Sequence, residues 1–368
     1  MATTRFFIYL LAVSAILLLL NTNPTRGSGE KHAGRSLFVF GDSLFDVGNN
    51  NYFPTTFRVN HWPYGETYFK LPTGRASDGR IIPDFIAEFA KLPLIPPYLQ
   101  PALNSYTNGV NFASGGAGAL QETNNGSVIA LKTQLSNFKN VEEKLRHKLG
   151  GEEAKRLLSQ SVYIFSIGTN DYLSPLASHS TLLPLFHSNK QAYVDMVIGN
   201  LTYVVKEIYN RGGSKFGFLN LGRVGCFPKM RDRKPGREGA CTDKVTTMVK
   251  LHNRKLSKVL SKLERRLKGF KYSMFDFYTC FGERLNDPSK YGFKEEKMAC
   301  CGAGPYRGNS GSCGGEGIKY ELCENPSDYL FFDPAHPTEA ADKQFAMLMW
   351  SGNSHITGPH NLRTLFQL

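Results

Sequence analysis

Five short apolar runs alternate with longer amphipathic stretches, and that alternation limits the possible folds more than any other feature of the chain. The runs are SLFVF (36–40), GVNFA (109–113), SVYIFSI (161–167), KFGFLNL (215–221) and KYSMFDF (271–277). Several are apolar nearly throughout, as strands covered on both faces of a parallel sheet must be. Between them apolar side chains recur at helical spacing. Pro83 suits the first turn of a helix over 84–91, and Leu131, Leu135, Phe138, Leu145 and Leu149 mark another over 129–149. Val194, Val197, Leu201, Val204 and Ile208 form the stripe of a helix over 190–210. A longer stripe from Val245 through Met248, His252, Leu256, Val259 and Leu263 to Leu267 predicts a helix over 244–268, closed by Gly269. His252 on that stripe reads as a core histidine. A last helix is expected over 337–350. The pattern predicts a three-layer α/β/α sandwich around a mostly parallel, five-stranded sheet.

In such sheets reactive groups collect beyond the carboxyl ends of the strands. Gly41, Asp42 and Ser43 follow the first run, Ser114, Gly115 and Gly116 the second, and Gly168, Thr169, Asn170 and Asp171 the third. All three clusters are therefore expected on one edge. A serine hydroxyl attacks only when a histidine takes its proton, and that histidine needs a third group to hold its tautomer. Asp333 and His336, in FFDPAHPTEAAD, are about one turn apart and precede a helix start, so the carboxylate can reach the ring nitrogen that faces away from the serine. Glycine amides and the Asn170 amide suit an oxyanion hole. The alternative is that these clusters are turns and helix caps. Dinucleotide and phosphate-loop signatures are missing, and no G-x-S-x-G elbow surrounds Ser43, so no cofactor and no metal is expected.

The ends of the chain point to export. Arg5 precedes the apolar run Phe6–Leu20, and Thr25 and Gly27 sit where a leader is cut, so 1–27 reads as a secretory signal peptide. No other stretch is long and apolar enough to span a bilayer. All seven cysteines lie in Gly- and Pro-rich segments after position 225, within loops at 222–242 and 280–332. In an oxidising compartment Cys226, Cys241, Cys300, Cys301, Cys313 and Cys323 are expected to form disulfides, leaving Cys280 as a buried thiol. Asn125 and Asn200 stand in glycosylation sequons. The formal charge is +13; removing Arg5 and Arg26 leaves 13 − 2 = +11. Such a cation is expected to associate weakly with acidic cell-wall polysaccharide or anionic lipid. The basic residues of KLSKVLSKLERRLKGFK read as a solvated helix face, and no nucleic-acid recognition motif accompanies them.

Five blocks carry a resemblance. FGDSLFDVGNNN, GVNFASGGAG, IGTND, the Gly-Cys-x-Pro element at 225–228 and DPAHPT occur in the order found in plant GDSL esterase/lipases of the SGNH hydrolase superfamily. The segments PTGRASDGRIIPDFIAEFAKLPLIPP and ELCENPSDYLFFDP are similar to the secreted subgroup linked to pathogen response. The resemblance implies an SGNH hydrolase domain over 28–368, with Ser43 as nucleophile and oxyanion donor and His336 as base. Asp333 completes the triad, and Asn170 and a block-two glycine, Gly116 or Gly115, complete the oxyanion hole. One departure is visible: Arg223 stands where the fourth block has proline, which bears on loop shape and substrate choice. The implied activity is secreted hydrolysis of lipid or small-molecule esters, in the apoplast, cell wall or vacuole. An acyltransferase with the same triad and a low-activity lipid- or protein-binding member are the alternatives.

Overall fold

All five apolar runs are strands: β1 (Leu37–Gly41), β2 (Gly109–Asn111), β3 (Val162–Ser166), β4 (Lys215–Leu219) and β5 (Lys271–Phe275). The computed structural model describes residues 35–177, 182–231 and 237–368, so the expected leader 1–27 lies outside the described residues. The five strands pair in parallel in the order β2-β1-β3-β4-β5. A sixth strand, Thr357–Pro359, joins β5 antiparallel, with Thr357 opposite Phe275. It has no apolar run to announce it, and Pro359, which cannot donate to a ladder, is tolerated because the strand is an edge.

Register is locked by aromatic rows on one face. Phe38, Tyr163, Phe216 and Phe270 stack successively at centroid separations of 5.4, 5.5 and 4.8 Å. Phe40, Phe165 and Phe218 form a second row at 4.9 and 5.3 Å. Phe138, from helix Leu131–Leu149, meets Phe38 edge-on. A slip of one residue would turn all of these rings to the other face, breaking both stacks and driving the rings into the helix layer there, where even a Cβ on Gly217 would lie 2.6 Å from Leu362. Helices Leu131–Leu149, Lys190–Asn210 and Thr246–Arg266 pack together as one layer on the sheet. Helices Ile82–Phe89, Glu339–Ser351 and Leu362–Gln367 form the layer on the opposite face, where Leu362 and Met349 crowd Gly217. The expected helices are present within about two residues of their expected ends. Helices Gly151–Gln160, Leu183–Ser188, Phe277–Asn286 and Leu362–Gln367 have no counterpart among the expected elements, being too short to display a clear period.

Because β2 and β3 lie on either side of β1, the chain reverses its direction across the sheet between β1 and β3, and the loops leaving these strands part to open a crevice. The end of β1 is clamped from the helix above. Buried Gln134 accepts from Gly41 N at 2.9 Å and donates to the Gly41 and Ile129 carbonyls at 2.8 Å. Gly41 itself is required by closeness: a Cβ there would lie 2.4 Å from the Ser166 carbonyl oxygen. Gln134→Leu leaves the Gly41 N–H buried without an acceptor, so it is expected to lower stability by about 1–3 kcal/mol, read from urea unfolding midpoints.

Candidate active site

Ser43 sits in the turn immediately after β1, where Phe45 N and Asp46 N both donate to the Asp42 carbonyl and curl the chain away from the sheet. Asp333 and His336 arrive from the far end of the sequence, on the turn between strand Tyr329–Phe331 and helix Glu339–Ser351. That turn is self-bonded. Asp333 Oδ1 accepts from Ala335 N at 2.8 Å and His336 N at 2.9 Å, and Phe332 N donates to the His336 carbonyl at 2.8 Å. Thr338 caps the helix that follows. His336 Nδ1 is 2.8 Å from both Asp333 oxygens, and His336 Nε2 is 2.7 Å from Ser43 Oγ. With a carboxylate at Nδ1, the ring proton belongs there and Nε2 presents its lone pair to the hydroxyl.

The other expected residues face the same space. Ser43, Gly115, Gly116, Asn170 and His336 all line one cavity of about 540 Å³. Gly115 and Gly116 differ in what their amides do. Gly115 N donates to Asp46 Oδ2 at 2.9 Å, whereas no acceptor among the described residues takes the Gly116 N–H or the Ser43 N–H. The Gly115 carbonyl accepts from Asn50 Nδ2 at 3.0 Å. In a trans peptide the C=O and the next N–H point oppositely, so pinning this carbonyl turns the Gly116 N–H away from Asn50. Asn170 Nδ2 donates one hydrogen to the Ala117 carbonyl at 3.0 Å, which fixes the amide plane and leaves its second hydrogen. Asn170 and Asp171 do not cap their own helix, Thr169–Ala177; both reach across to the loop after β2. Asp171 accepts from Ala119 N, Leu120 N and Thr123 Oγ1.

Several residues that organise the site escaped the sequence reading. Asp46, with Asn49 and Asn50, stitches the loop after β1 to the loop after β2: Asp46 accepts from Gly48 N, Asn49 N and Gly115 N, and Asn49 Nδ2 donates to the Asn111 and Ala113 carbonyls. These residues lie inside FDVGNNN, where closeness to Ser43 was the one available signal. Tyr64 had none. Its hydroxyl, buried, donates to Asp333 Oδ2 at 2.8 Å, and burial, with the Asp333 charge, pushes its pKa far up so that it remains a donor. Burial alone would raise Asp333; the His336 charge and hydrogen bond, the Ala335 N–H and Tyr64 outweigh it and hold the carboxyl below its ordinary value. Burial also pushes Asp42 up to about 7, and Asp46 and Asp171 up to about 6, against the backbone N–H groups that each accepts.

The cysteine-rich loops wall the cavity. Disulfides join Cys226 to Cys241, Cys300 to Cys323 and Cys301 to Cys313, leaving Cys280 a buried free thiol as expected. Tyr64 and Phe332 pack into one apolar cluster with Cys300, Cys301 and Cys313. His252 is a core residue, its Nδ1 2.9 Å from Tyr172 Oη and its pKa pushed by burial down to about 3. Asn125 and Asn200, the asparagines of the two sequons, are both exposed. Arg223, the departure from the fourth block, lies over the Tyr278 ring and against Gly282. It lines a small cavity of about 160 Å³ separate from the site. No helix among the described residues is long and apolar enough to cross a membrane.

The chain is similar to known proteins over most of its length. The family model described as GDSL-like lipase/acylhydrolase matches residues 37–349. GDSL esterase/lipase 1 of Arabidopsis thaliana is 56% identical over 340 residues, covering 90% of each chain. GDSL esterase/lipase 2 of the same plant is 54% identical over 340 residues, again 90% of each. A GDSL lipase of Tanacetum cinerariifolium is 47% identical over 359 residues, covering 97% of this chain and 94% of that one.

Two outcomes follow from the buried carboxyls. Tyr64→Phe removes a hydrogen bond to an ionised group, so it is expected to lower stability at neutral pH by about 1.5–3 kcal/mol. Because Asp333 is then held down less firmly, stability lost on acidification is lost at a higher pH than in the parent; chemical denaturation across the acid range checks this. Asp42 works in the opposite sense. Its folded pKa is raised, so its contribution is full below the ordinary value of 3.8 and lost as pH rises through about 7. Asp42→Asn is therefore expected to raise the melting temperature at about pH 8 relative to the parent and to do little at about pH 4. An unchanged difference between the two pH values would contradict the burial argument.

Proposed function

The chain belongs to the GDSL-like lipase/acylhydrolase family and is an ester hydrolase, and on that premise we propose that it is a secreted serine hydrolase of lipid or acylated small-molecule esters. In this reading 28–368 is a single hydrolase domain behind a leader, 1–27, removed on export. The observation that carries the mechanism is the 2.7 Å approach of His336 Nε2 to Ser43 Oγ, with Nδ1 anchored on the Asp333 carboxylate. Attack by Ser43 Oγ on the ester carbonyl forms the new C–O bond as the hydroxyl proton passes to His336 Nε2. The carbonyl oxygen becomes an oxyanion, met by the Ser43 N–H, the Gly116 N–H and the second Asn170 amide hydrogen. Gly116 takes this role over Gly115 because the Gly115 N–H is committed to Asp46. His336 then protonates the departing alkoxide, leaving acyl-Ser43, and deprotonates the water that releases the acid. Asp333 stays ionised throughout and fixes the imidazole's tautomer and plane.

The cavity supports an ester of moderate size. Its volume, about 540 Å³, holds a small ligand or one arm of a larger lipid, and Phe57, Val59 and Leu173 give it apolar walls. Three disulfides support an oxidising location, the apoplast, the cell wall or the vacuole.

Ser43→Ala is expected to lower kcat/KM on 4-nitrophenyl esters by on the order of 10⁴-fold or more. Asn170→Ala is expected to lower kcat by roughly 10²–10³-fold with a smaller change in KM, because its donor serves the transition state. A Ser43→Ala enzyme as fast as its parent would sink the mechanism. Adding candidate alcohols to the same reaction and looking for new esters by mass spectrometry tests whether an alcohol competes with water for the acyl group.

A further inference from the structure

The cavity over Ser43 is lined by two cations to which ester cleavage assigns no role. Arg58, Lys229, Asp46 and Asp333 are its charged lining residues apart from the histidines. Both carboxylates are committed: Asp46 accepts three backbone N–H groups, and Asp333 serves His336 and Tyr64. The two cations are not. Arg58, which is exposed, gives Nε and Nη2 to the carbonyls of Asn50 and Phe53 and has no carboxylate partner among the described residues. Lys229 forms no ion pair and no side-chain hydrogen bond among the described residues.

Lys229 is partly buried, and its placement is fixed. Its backbone N–H donates to the Pro334 carbonyl at 3.0 Å, inside the same turn that carries Asp333 and His336. The Cys226–Cys241 disulfide holds the segment that precedes it. Arg58 enters from a different wall, the one bearing Phe57, whose ring lies directly over Gly116. Burial lowers the Lys229 pKa, and the nearby Asp333 and Asp42 charges counter that without touching the ammonium. An ammonium held in a cavity wall without a partner is costly, and an arriving anion removes that cost. A cation beside the reacting centre also rewards any substrate whose own charge is placed to meet it.

We propose that the preferred esters carry a second, anionic group, a carboxylate or phosphate, which Lys229 binds with Arg58 contributing from a separate segment of the lining. The inference rests on the hydrolase reading above and narrows its substrate class: neutral esters fill the apolar walls but leave the two cations unmet.

Two matched pairs of esters test it and separate the acyl side from the alcohol side. One pair is 4-nitrophenyl hydrogen glutarate and 4-nitrophenyl pentanoate; the other is the butyrate ester of 4-hydroxybenzoic acid and that of its methyl ester. The parent is expected to favour the anionic member of at least one pair by roughly tenfold or more in kcat/KM, a preference that shrinks as salt is added. Lys229→Met is expected to reduce that ratio about tenfold, and Lys229→Arg to retain most of it. Taking ratios within one variant cancels losses from misfolding or from a shift in Asp333. Ser43-dependent turnover with no charge preference in either pair, or a preference that survives Lys229→Met, overturns the inference and leaves the hydrolase reading standing. No Ser43-dependent turnover of any of the four esters overturns both.

Discussion

The site depends first on one peptide unit, the bond between Gly115 and Gly116, being held at a fixed angle to Ser43. Asp46 takes the amide on one side of it and Asn50 takes its carbonyl, so neither group of the neighbouring backbone is free to turn. Asn50 is in turn held by Ser114, whose hydroxyl donates to Asn50 Oδ1 at 2.6 Å and accepts from Ile129 N. Donors that stabilise developing charge work only if they need no reorganisation when it appears. A buried network in which nearly every amide is satisfied supplies that rigidity, at the expense of carrying an aspartate whose ionisation burial opposes.

The second half of the site is built by a different device. His336 lies 293 positions after Ser43 along the chain, with Asp333 three positions before it, and no strand of the main sheet carries either. They ride on a small two-stranded sheet, Glu295–Ala299 with Tyr329–Phe331, beside the disulfide-linked loops. The bridges bring Tyr64 and Phe332 into a compact cluster, and Tyr64 reaches Asp333 from it. Cross-links therefore act here less on the sandwich than on the loop scaffold that aims the imidazole.

Much of this was legible in the chain. Continuous apolar runs with helical stretches between them dictate a parallel sheet, because a strand covered on both faces has no polar side to show. The polar clusters after the first three runs had to meet, since parallel strands all end on the same edge. The odd cysteine was recognisable from its aromatic neighbours, and burial does push the Cys280 thiol up to about 11. Less was legible where function depends on a partner's position. Tyr64 and Lys229 have ordinary local contexts, and the strand Thr357–Pro359 has a sequence that argues against a strand until β5 offers it an edge.

The sequence by itself determined the layers, the five parallel strands, the three polar clusters on one sheet edge and the separate segment that carries Asp333 and His336, because periodicity and burial are local properties read along one segment at a time. Only the tertiary structure decided which glycine amide stays unoccupied, which cysteines pair, what steadies Asp333 and which charges face the cavity unmatched. Each of these is a question of who lies within hydrogen-bonding or ion-pairing distance of whom, and distance between remote segments is set by packing, which no single segment encodes.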